Sequence, residues 1–199
     1  MNKHIILAGD SIFDNDGYVL GEAGVIEQLR SSLPKQHSAS KIAVDGDCIK
    51  HIKDQLQNLP SNATDIFISV GGNDARYYSD LLGSISNEKD LYHILLEPLK
   101  QFEASYEDMI EHALSTKLRI VVSTIYTNVP FESPIWRKFA PIAIQEFNSV
   151  IKRQAKQKNI PVLYLEKICT EACDYSTVSP IEPSSKGGQK IVNAIIEMI

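Results

Sequence analysis

The sequence predicts an α/β protein in which a parallel β-sheet is covered by helices on both faces. Short apolar runs recur along the chain, and stretches with the apolar spacing of helices separate them. This alternation is typical of parallel sheets, because a helix usually connects two parallel strands and buries one face of the sheet. The 199 residues suit a single domain over residues 1–199, and 43% hydrophobic residues provide a core without disulfides or metals.

Five apolar runs are the predicted strands. They cover residues 4–8, 41–44, 66–70, 118–123 and 161–165. Apolar stripes with helical spacing predict the helices. These stripes comprise Ile49, Ile52, Leu56 and Leu59; Leu95 through Ala113; Trp136 through Ile151; and Ile191, Ile195 and Ile199. Pro98 fits the second helix only near its start, because proline has no backbone N–H to donate.

Composition excludes several classes of function. A net charge of -5 leaves no basic field for nucleic acid. The sequence has no run of about 18 apolar residues, the length that is needed to span a bilayer. The apolar run at residues 4–8 is too short for a signal peptide, so we expect a cytoplasmic protein.

Cys169 and Cys173 could share a helical face, but no histidine follows them to complete a metal set. We expect buried thiols, no metal and no cofactor.

Two predicted strands end in residues that carry chemistry. Residues 4–8 lead into Gly-Asp-Ser at positions 9–11, and residues 66–70 lead into Gly-Gly-Asn-Asp at positions 71–74. The carboxyl ends of parallel strands meet at one edge of a sheet, where ligands of α/β proteins bind. We therefore expect a serine and an amide to face one crevice.

Four short blocks resemble those of the GDSL, or SGNH, hydrolases. They are Gly9-Asp10-Ser11, Gly46 after the second strand, Gly71-Gly72-Asn73-Asp74, and the stretch from Ser179 to Ile191. Each block alone is weak, but the four together, in order from residue 5 to the C-terminus, are specific. The resemblance implies a flavodoxin-like three-layer sandwich with a five-stranded parallel sheet. It also implies hydrolysis of a small-molecule carboxylic ester through a serine nucleophile.

The resemblance assigns the nucleophile to Ser11. It assigns the oxyanion hole to the Ser11 and Gly46 backbone N–H groups and the Asn73 side-chain amide. Donors fixed in advance stabilise the negative charge that forms on the carbonyl oxygen during attack. Glycine permits close backbone approach, and asparagine supplies a neutral N–H donor. Taken singly, each of the three residues is also typical of a turn.

Three aspartates beside these blocks are the predicted substrate-binding residues: Asp10, Asp14 and Asp74. Asp10 also suits a structural role in which its side chain accepts backbone N–H bonds and holds the turn. Five aromatic residues in the loop stretches 73–90 and 124–136 are candidates for a substrate wall or for ordinary capping of the core. They are Tyr77, Tyr78, Tyr126, Phe131 and Trp136.

The last block departs from the family pattern. It normally reads Asp-x-x-His, but these positions hold Ser179 and Glu182. Three interpretations of Glu182 stay open: a general base whose pKa is raised by burial, a ligand for a substrate amine or hydroxyl, or an acceptor of backbone N–H bonds near the last helix. Among the five histidines, His51 is nearest in sequence to Gly46 and is the candidate for a replacement base.

The missing histidine keeps other functions open. One alternative is a catalytically degenerate protein of this fold that binds an acylated or carbohydrate ligand without turnover. Another is a binder or enzyme for phosphorylated ligands, although neither glycine block continues into a lysine-containing phosphate loop. The sequence specifies neither the acyl group nor the oligomeric state.

Overall fold

The computed structural model describes residues 2–85 and 87–199. At its centre lies a five-stranded sheet in the order β2-β1-β3-β4-β5, with all four neighbouring pairs parallel. The strands are β1 (His4–Gly9), β2 (Ser38–Lys41), β3 (Asp65–Ser69), β4 (Arg119–Ser123) and β5 (Val162–Leu163). This arrangement confirms the predicted α/β fold.

Helices cover both faces of the sheet. They are α1 (Val25–Ser32), α2 (Ile52–Leu56), α3 (Gly72–Arg76), α4 (Glu88–Ser115), α5 (Pro134–Gln157), α6 (Leu165–Ile168) and α7 (Ser185–Glu197). Alternate residues of β1 enter opposite cores, because successive side chains of a strand point to opposite faces. Ile6 belongs to the core with α2, α4 and α5, and Ile5 belongs to the core with α1 and α7.

The second strand lies earlier than predicted. It comprises Ser38–Lys41, paired with His4–Leu7, whereas the apolar run at 41–44 predicted it. Beyond Lys41 the ladder ends, because the N–H groups of residues 42 and 43 both donate to the Leu7 carbonyl oxygen. Residues 42–44 therefore carry the chain away from β2 and toward the loop that contains Gly46.

Helix α4 is longer than its apolar stripe predicted. It begins at Glu88, where the Asn87 side chain accepts a hydrogen bond from the Asp90 N–H at 3.1 Å. Pro98 consequently lies inside the helix and is buried, so the expectation that it stays near the helix start is wrong. The stripe from Ile49 to Leu59 is also divided, into a 3₁₀ turn at Ile49–His51 followed by α2.

The cysteines are free thiols. Cys169 is fully buried, as expected, whereas Cys173 is exposed and contradicts the expectation of a buried thiol. No helix within the described ranges is both long enough and apolar enough to cross a membrane.

Candidate functional site

Ser11 lies in a tight turn just beyond β1. Gly9, the last residue of that strand, has a φ of 126°, and a Cβ atom there would lie 1.8 Å from the Ser69 carbonyl oxygen of β3. Glycine is therefore required at this position. The turn closes because the N–H groups of residues 13 and 14 both donate to the Asp10 carbonyl oxygen at 3.1 Å. Ser11 is thus held at the carboxyl end of a central strand and is buried.

Asp10 supports this turn from inside. Its side chain is 3% exposed, accepts a hydrogen bond from the Ile12 N–H at 3.2 Å, and interacts with the Ser69 side chain. Burial raises the pKa of the Asp10 carboxyl to about 8, and the negative charge of Glu182 adds to the increase. Asp10 is therefore mostly protonated at pH 7. It also lines the cavity beside Ser11, and its predicted contact with substrate stays a prediction.

Gly46 lies in the loop that follows β2. Its φ of 83° is in the left-handed region, which favours glycine. The Asp14 carboxylate holds this loop by accepting a hydrogen bond from the Asp45 N–H at 2.9 Å and pairing with Lys41. Asp14 does not line the cavity. Within the described residues, the backbone N–H groups of Gly46 and Ser11 have no hydrogen-bond acceptor. Both groups are therefore available as donors, although Gly46 is not among the cavity-lining residues.

Asn73 lies in the first turn of α3, just beyond β3. Its Nδ2 donates to the Asp47 carbonyl oxygen at 2.9 Å, which joins α3 to the loop of Gly46. An asparagine amide has two N–H donors, so one remains free for a ligand. The neighbouring Asp74 carboxylate accepts a hydrogen bond from the Ile49 N–H at 3.1 Å. Burial raises the pKa of Asp74, which braces the loop and does not line the cavity.

Glu182 lies beside Ser11 although the two residues come from opposite ends of the chain. The Ser11 side chain is close enough to the Glu182 carboxylate to stabilise its charged form. Glu182 is 5% exposed, and its Oε2 atom has no hydrogen-bond partner in the described part of the chain. Burial raises the pKa of the carboxyl to about 7; the nearby Ser11 side chain and the charge of Arg76 oppose the increase, and the charge of Asp45 adds to it.

The backbone around Glu182 is fixed by several hydrogen bonds. Its carbonyl oxygen accepts from the Ser176 N–H at 2.8 Å, and its N–H donates to the Ser179 carbonyl oxygen at 3.1 Å. The cap of α7 is Ser184, whose Oγ accepts a hydrogen bond from the Gly187 N–H at 3.1 Å. Capping of the last helix therefore does not depend on Glu182, and the side chain remains directed at Ser11.

No histidine lines the cavity in the described residues. His51 Nδ1 accepts a hydrogen bond from the Cys48 N–H at 2.9 Å and lies 3.2 Å from an Asp47 carboxylate oxygen. His4, at the opposite end of β1, contacts Asn62 and Ser40. Among the described cavity residues, the acidic side chains near Ser11 are Asp10 and Glu182.

A cavity of about 140 Å³ opens beside Ser11 and extends between the sheet and helices α4 and α5. Its polar side includes Ser11, Asn73 and Glu182. Its apolar interior includes residues buried in the core, Leu82, Leu95, Ala140, Ala143 and Phe147. Tyr78, Tyr126, Phe131 and Trp136 line it as well, whereas Tyr77 is 85% exposed and does not. Residue 86, within the predicted loop stretch 73–90, lies outside the described residues.

Sequence reasoning missed two parts of this cavity. The first is Arg76, three residues after Asn73, which that helical spacing could have indicated. The second is the apolar interior supplied by α4 and α5. Apolar residues on a helix predict burial, and no signal in the sequence tells a core position from a cavity wall.

A group of potential metal ligands lies at the start of α7. It comprises the carboxylates of Glu171 and Asp174 and the thiol of Cys173. Lys186 Nζ lies 3.1 Å from the thiol, and Lys190 Nζ lies 2.8 Å from Asp174. The two lysines already neutralise these acidic groups, so the arrangement is that of an ion-pair cluster.

The structure thus places a serine and a buried carboxylate together at the carboxyl end of a parallel sheet in an α/β protein. The family model for GDSL-like lipases and acylhydrolases matches residues 7–189. The chain therefore belongs to the GDSL-like lipase/acylhydrolase family, which is a family of ester hydrolases.

Several solved structures share the fold of this chain. A lipase from a goat rumen metagenome has a TM-score of 0.74 and 21% identity, with 98% of this chain and 96% of that chain covered. A lipolytic G-D-S-L protein from Veillonella parvula has a TM-score of 0.71 and 17% identity, with 99% of this chain and 98% of that chain covered. A lipase/acylhydrolase from Enterococcus faecalis has a TM-score of 0.66 and 20% identity, with 99% of this chain and 95% of that chain covered. No curated protein matches the chain in sequence.

Proposed function

We propose that this protein hydrolyses carboxylic esters with Ser11 as the nucleophile and Glu182 as the general base. The observation that carries this proposal is that the Ser11 side chain lies in one cavity with, and interacts with, the buried Glu182 carboxylate, whose pKa burial raises to about 7. A nucleophile within hydrogen-bonding reach of a base is the arrangement that serine catalysis requires.

The raised pKa is what makes a carboxylate useful here. An unperturbed glutamate has a pKa near 4.3 and is a weak base toward a hydroxyl. General bases work best when their pKa lies near the working pH. Burial brings Glu182 to that range, and the protonated state of Asp10 spares the site a second negative charge beside it.

Three N–H donors support the proposed oxyanion hole. The Ser11 and Gly46 N–H groups are without acceptors among the described residues, and Asn73 has one free N–H. Hydrogen bonds hold all three on short connections after β1, β2 and β3. Donors held in place in this way stabilise the developing oxyanion, because the protein does not have to reorganise during the reaction.

The chemistry then proceeds in two halves. Glu182 takes the proton of the Ser11 hydroxyl while Oγ attacks the ester carbonyl carbon, and the negative charge forms on the carbonyl oxygen. Collapse of this intermediate breaks the ester bond, and protonated Glu182 returns the proton to the leaving alcohol. Water then attacks the acyl-serine with Glu182 again as base, which releases the carboxylic acid and restores Ser11.

The shape of the cavity supports a small or medium acyl group as the part that enters. Its interior is built from apolar residues of α4 and α5 and lies directly beside Ser11. An acyl chain placed there gains the free energy of apolar burial while its carbonyl group stays at Ser11.

Labelling by a fluorescent fluorophosphonate tests the proposal, with wild type compared with Ser11→Ala and Glu182→Gln from pH 5 to 9. We expect labelling of wild type, none of Ser11→Ala, and slower labelling of Glu182→Gln. A folded wild-type protein that is not labelled at any pH would overturn the proposal. Binding of an acylated ligand without turnover, unchanged by Ser11→Ala, would favour the degenerate binding protein.

A further inference from the structure

In the part of the chain that the structure describes, one positive charge lies at the mouth of the cavity. Among the described residues that line the cavity, the cation is Arg76 and the acids are Asp10 and Glu182. Arg76 is the last residue of α3 and lies three residues after Asn73, so both side chains emerge on the same side of the helix. The guanidinium group therefore emerges beside the proposed oxyanion donor.

Helix α3 is fixed at its first turn. Asn73 Nδ2 donates to the Asp47 carbonyl oxygen at 2.9 Å, and the Asp74 carboxylate accepts from the Ile49 N–H at 3.1 Å. These bonds anchor both residues to the loop that carries Gly46. The backbone of Arg76 consequently has a defined position relative to the catalytic residues.

The Arg76 guanidinium has no ion-pair partner within the described residues. Three other arginines form ion pairs: Arg30 with Glu27, Arg119 with Asp65, and Arg153 with Glu103. Arg76 is near Glu182, since its charge lowers the pKa of that carboxyl, but the two do not form a salt bridge. The nearby Asp45 carboxylate accepts a hydrogen bond from the Tyr18 hydroxyl at 2.8 Å.

We propose that Arg76 binds an anionic group, a carboxylate or a phosphate, on the alcohol part of the ester. This inference rests on the proposed hydrolysis. The apolar interior accommodates the acyl group, which leaves the alcohol part at the polar mouth where Arg76 lies. A guanidinium donates two parallel hydrogen bonds to a carboxylate or phosphate, so an unpaired arginine at this point selects for such a group.

A different role for Arg76 would act through Glu182 alone. If its charge served only to lower the pKa of that carboxyl, its removal would change the hydrolysis of charged and neutral esters by the same factor. An anion-binding role changes the ratio between them. The ratio of kcat/KM for anionic and neutral esters is therefore the decisive quantity.

Three esters with one acyl group provide the test: butyryl glycolate, 2-butyryloxyethyl phosphate and neutral 2-hydroxyethyl butyrate. We expect wild type to favour at least one anionic ester by about tenfold in kcat/KM, the magnitude of one charge-assisted interaction. Arg76→Gln should remove this preference, and the preference should shrink as ionic strength rises. The carboxylate and phosphate esters show which of the two anions the site takes.

Arg137→Gln is the matched control. Arg137 is an exposed arginine of α5 that does not line the cavity, so its removal takes away the same charge and should leave the ratio unchanged. Equal kcat/KM for anionic and neutral esters in wild type, or equal loss on all three in Arg76→Gln, would overturn the inference.

Failure of hydrolysis and failure of anion selection are separable. If wild type cleaves none of the esters and is not labelled by the fluorophosphonate, the proposed function is overturned. Calorimetric titration of Ser11→Ala with the anionic esters then tests Arg76 directly. Binding that disappears in the Ser11→Ala/Arg76→Gln protein supports the inference, and absence of binding to Ser11→Ala overturns it.

Discussion

Replacement of Glu182 by glutamine is the most informative perturbation of this protein. Glutamine has nearly the same size and keeps a hydrogen bond to Ser11 feasible, but it cannot accept the serine proton. General bases typically contribute about 10²–10⁴ in rate. We therefore expect Glu182→Gln to lower kcat/KM at pH 8 by about 100-fold or more.

The pKa of about 7 also predicts the shape of the wild-type pH profile. With a base of that pKa, about a tenth of the carboxyl groups are ionised at pH 6 and about nine tenths at pH 8. Wild-type kcat/KM should consequently rise about tenfold between these values and then level off. The residual activity of Glu182→Gln should lack this rise.

The same substitution has an opposite effect on stability. The folded pKa of Glu182 lies above its unfolded value of 4.5, so the unfolded chain releases the proton first as pH rises. The free energy of unfolding therefore falls between pH 4.5 and 7, by about 3 kcal/mol for this shift. Glu182→Gln removes that cost, and we expect it to be more stable than wild type at pH 8.

The assay is the initial rate of butyrate ester hydrolysis from pH 5 to 9, with urea unfolding of each protein at pH 5 and pH 8. Glu22→Gln, an exposed glutamate, serves as the control and should match wild type in both measurements. A wild-type rate that is already level by pH 6, or undiminished activity in Glu182→Gln, would refute the assignment of Glu182 as base.

Three further predictions follow from individual contacts. Asn73→Ala should lower kcat about 100-fold with a smaller change in KM, because an oxyanion donor acts mainly on the transition state; steady-state kinetics measure this. Asp10→Asn should retain most activity, because Asp10 is mainly protonated at pH 7. In urea unfolding, its free energy of unfolding should fall less between pH 4 and 8 than that of wild type. A large loss of kcat would contradict this. Gly187→Ala should lower the free energy of unfolding by about 2–3 kcal/mol, because the added Cβ would lie 2.1 Å from the Asp174 carbonyl oxygen. Thermal unfolding measures this, with Gly17→Ala as the control, because a Cβ at Gly17 meets open space.

Local patterns in the chain predicted most of the fold. Apolar runs in β1 and β3 are buried on both faces, so their composition alone indicated buried parallel strands. The edge strand β2 was misplaced because Ser38–Lys41 is half exposed and carries little apolar signal. Pro98 was misjudged for a related reason, since packing of the long helix α4 in the core outweighs the cost of one missing hydrogen bond.

The candidate site was likewise predictable from the sequence only in part. Ser11 and Asn73 could be located from sequence because each follows directly on an apolar strand. Asp14 and Asp74 were also found, but the structure shows that both carboxylates accept backbone N–H bonds and brace the loop of Gly46. Proximity in sequence predicts which acidic residues lie near a site, but it does not predict the direction in which each carboxylate points.

By itself, the sequence determined a parallel α/β fold with a serine and an amide at the same edge of the sheet, because strand periodicity and the turns that follow strands are local properties. Only the tertiary structure decided that Glu182 lies beside Ser11 and that burial raises its pKa to about 7. It also decided that Arg76, which forms no ion pair with the residues that the structure describes, lies at the mouth of an apolar cavity. These features depend on segments distant in sequence and on exclusion of water. Both arise only when the chain has packed.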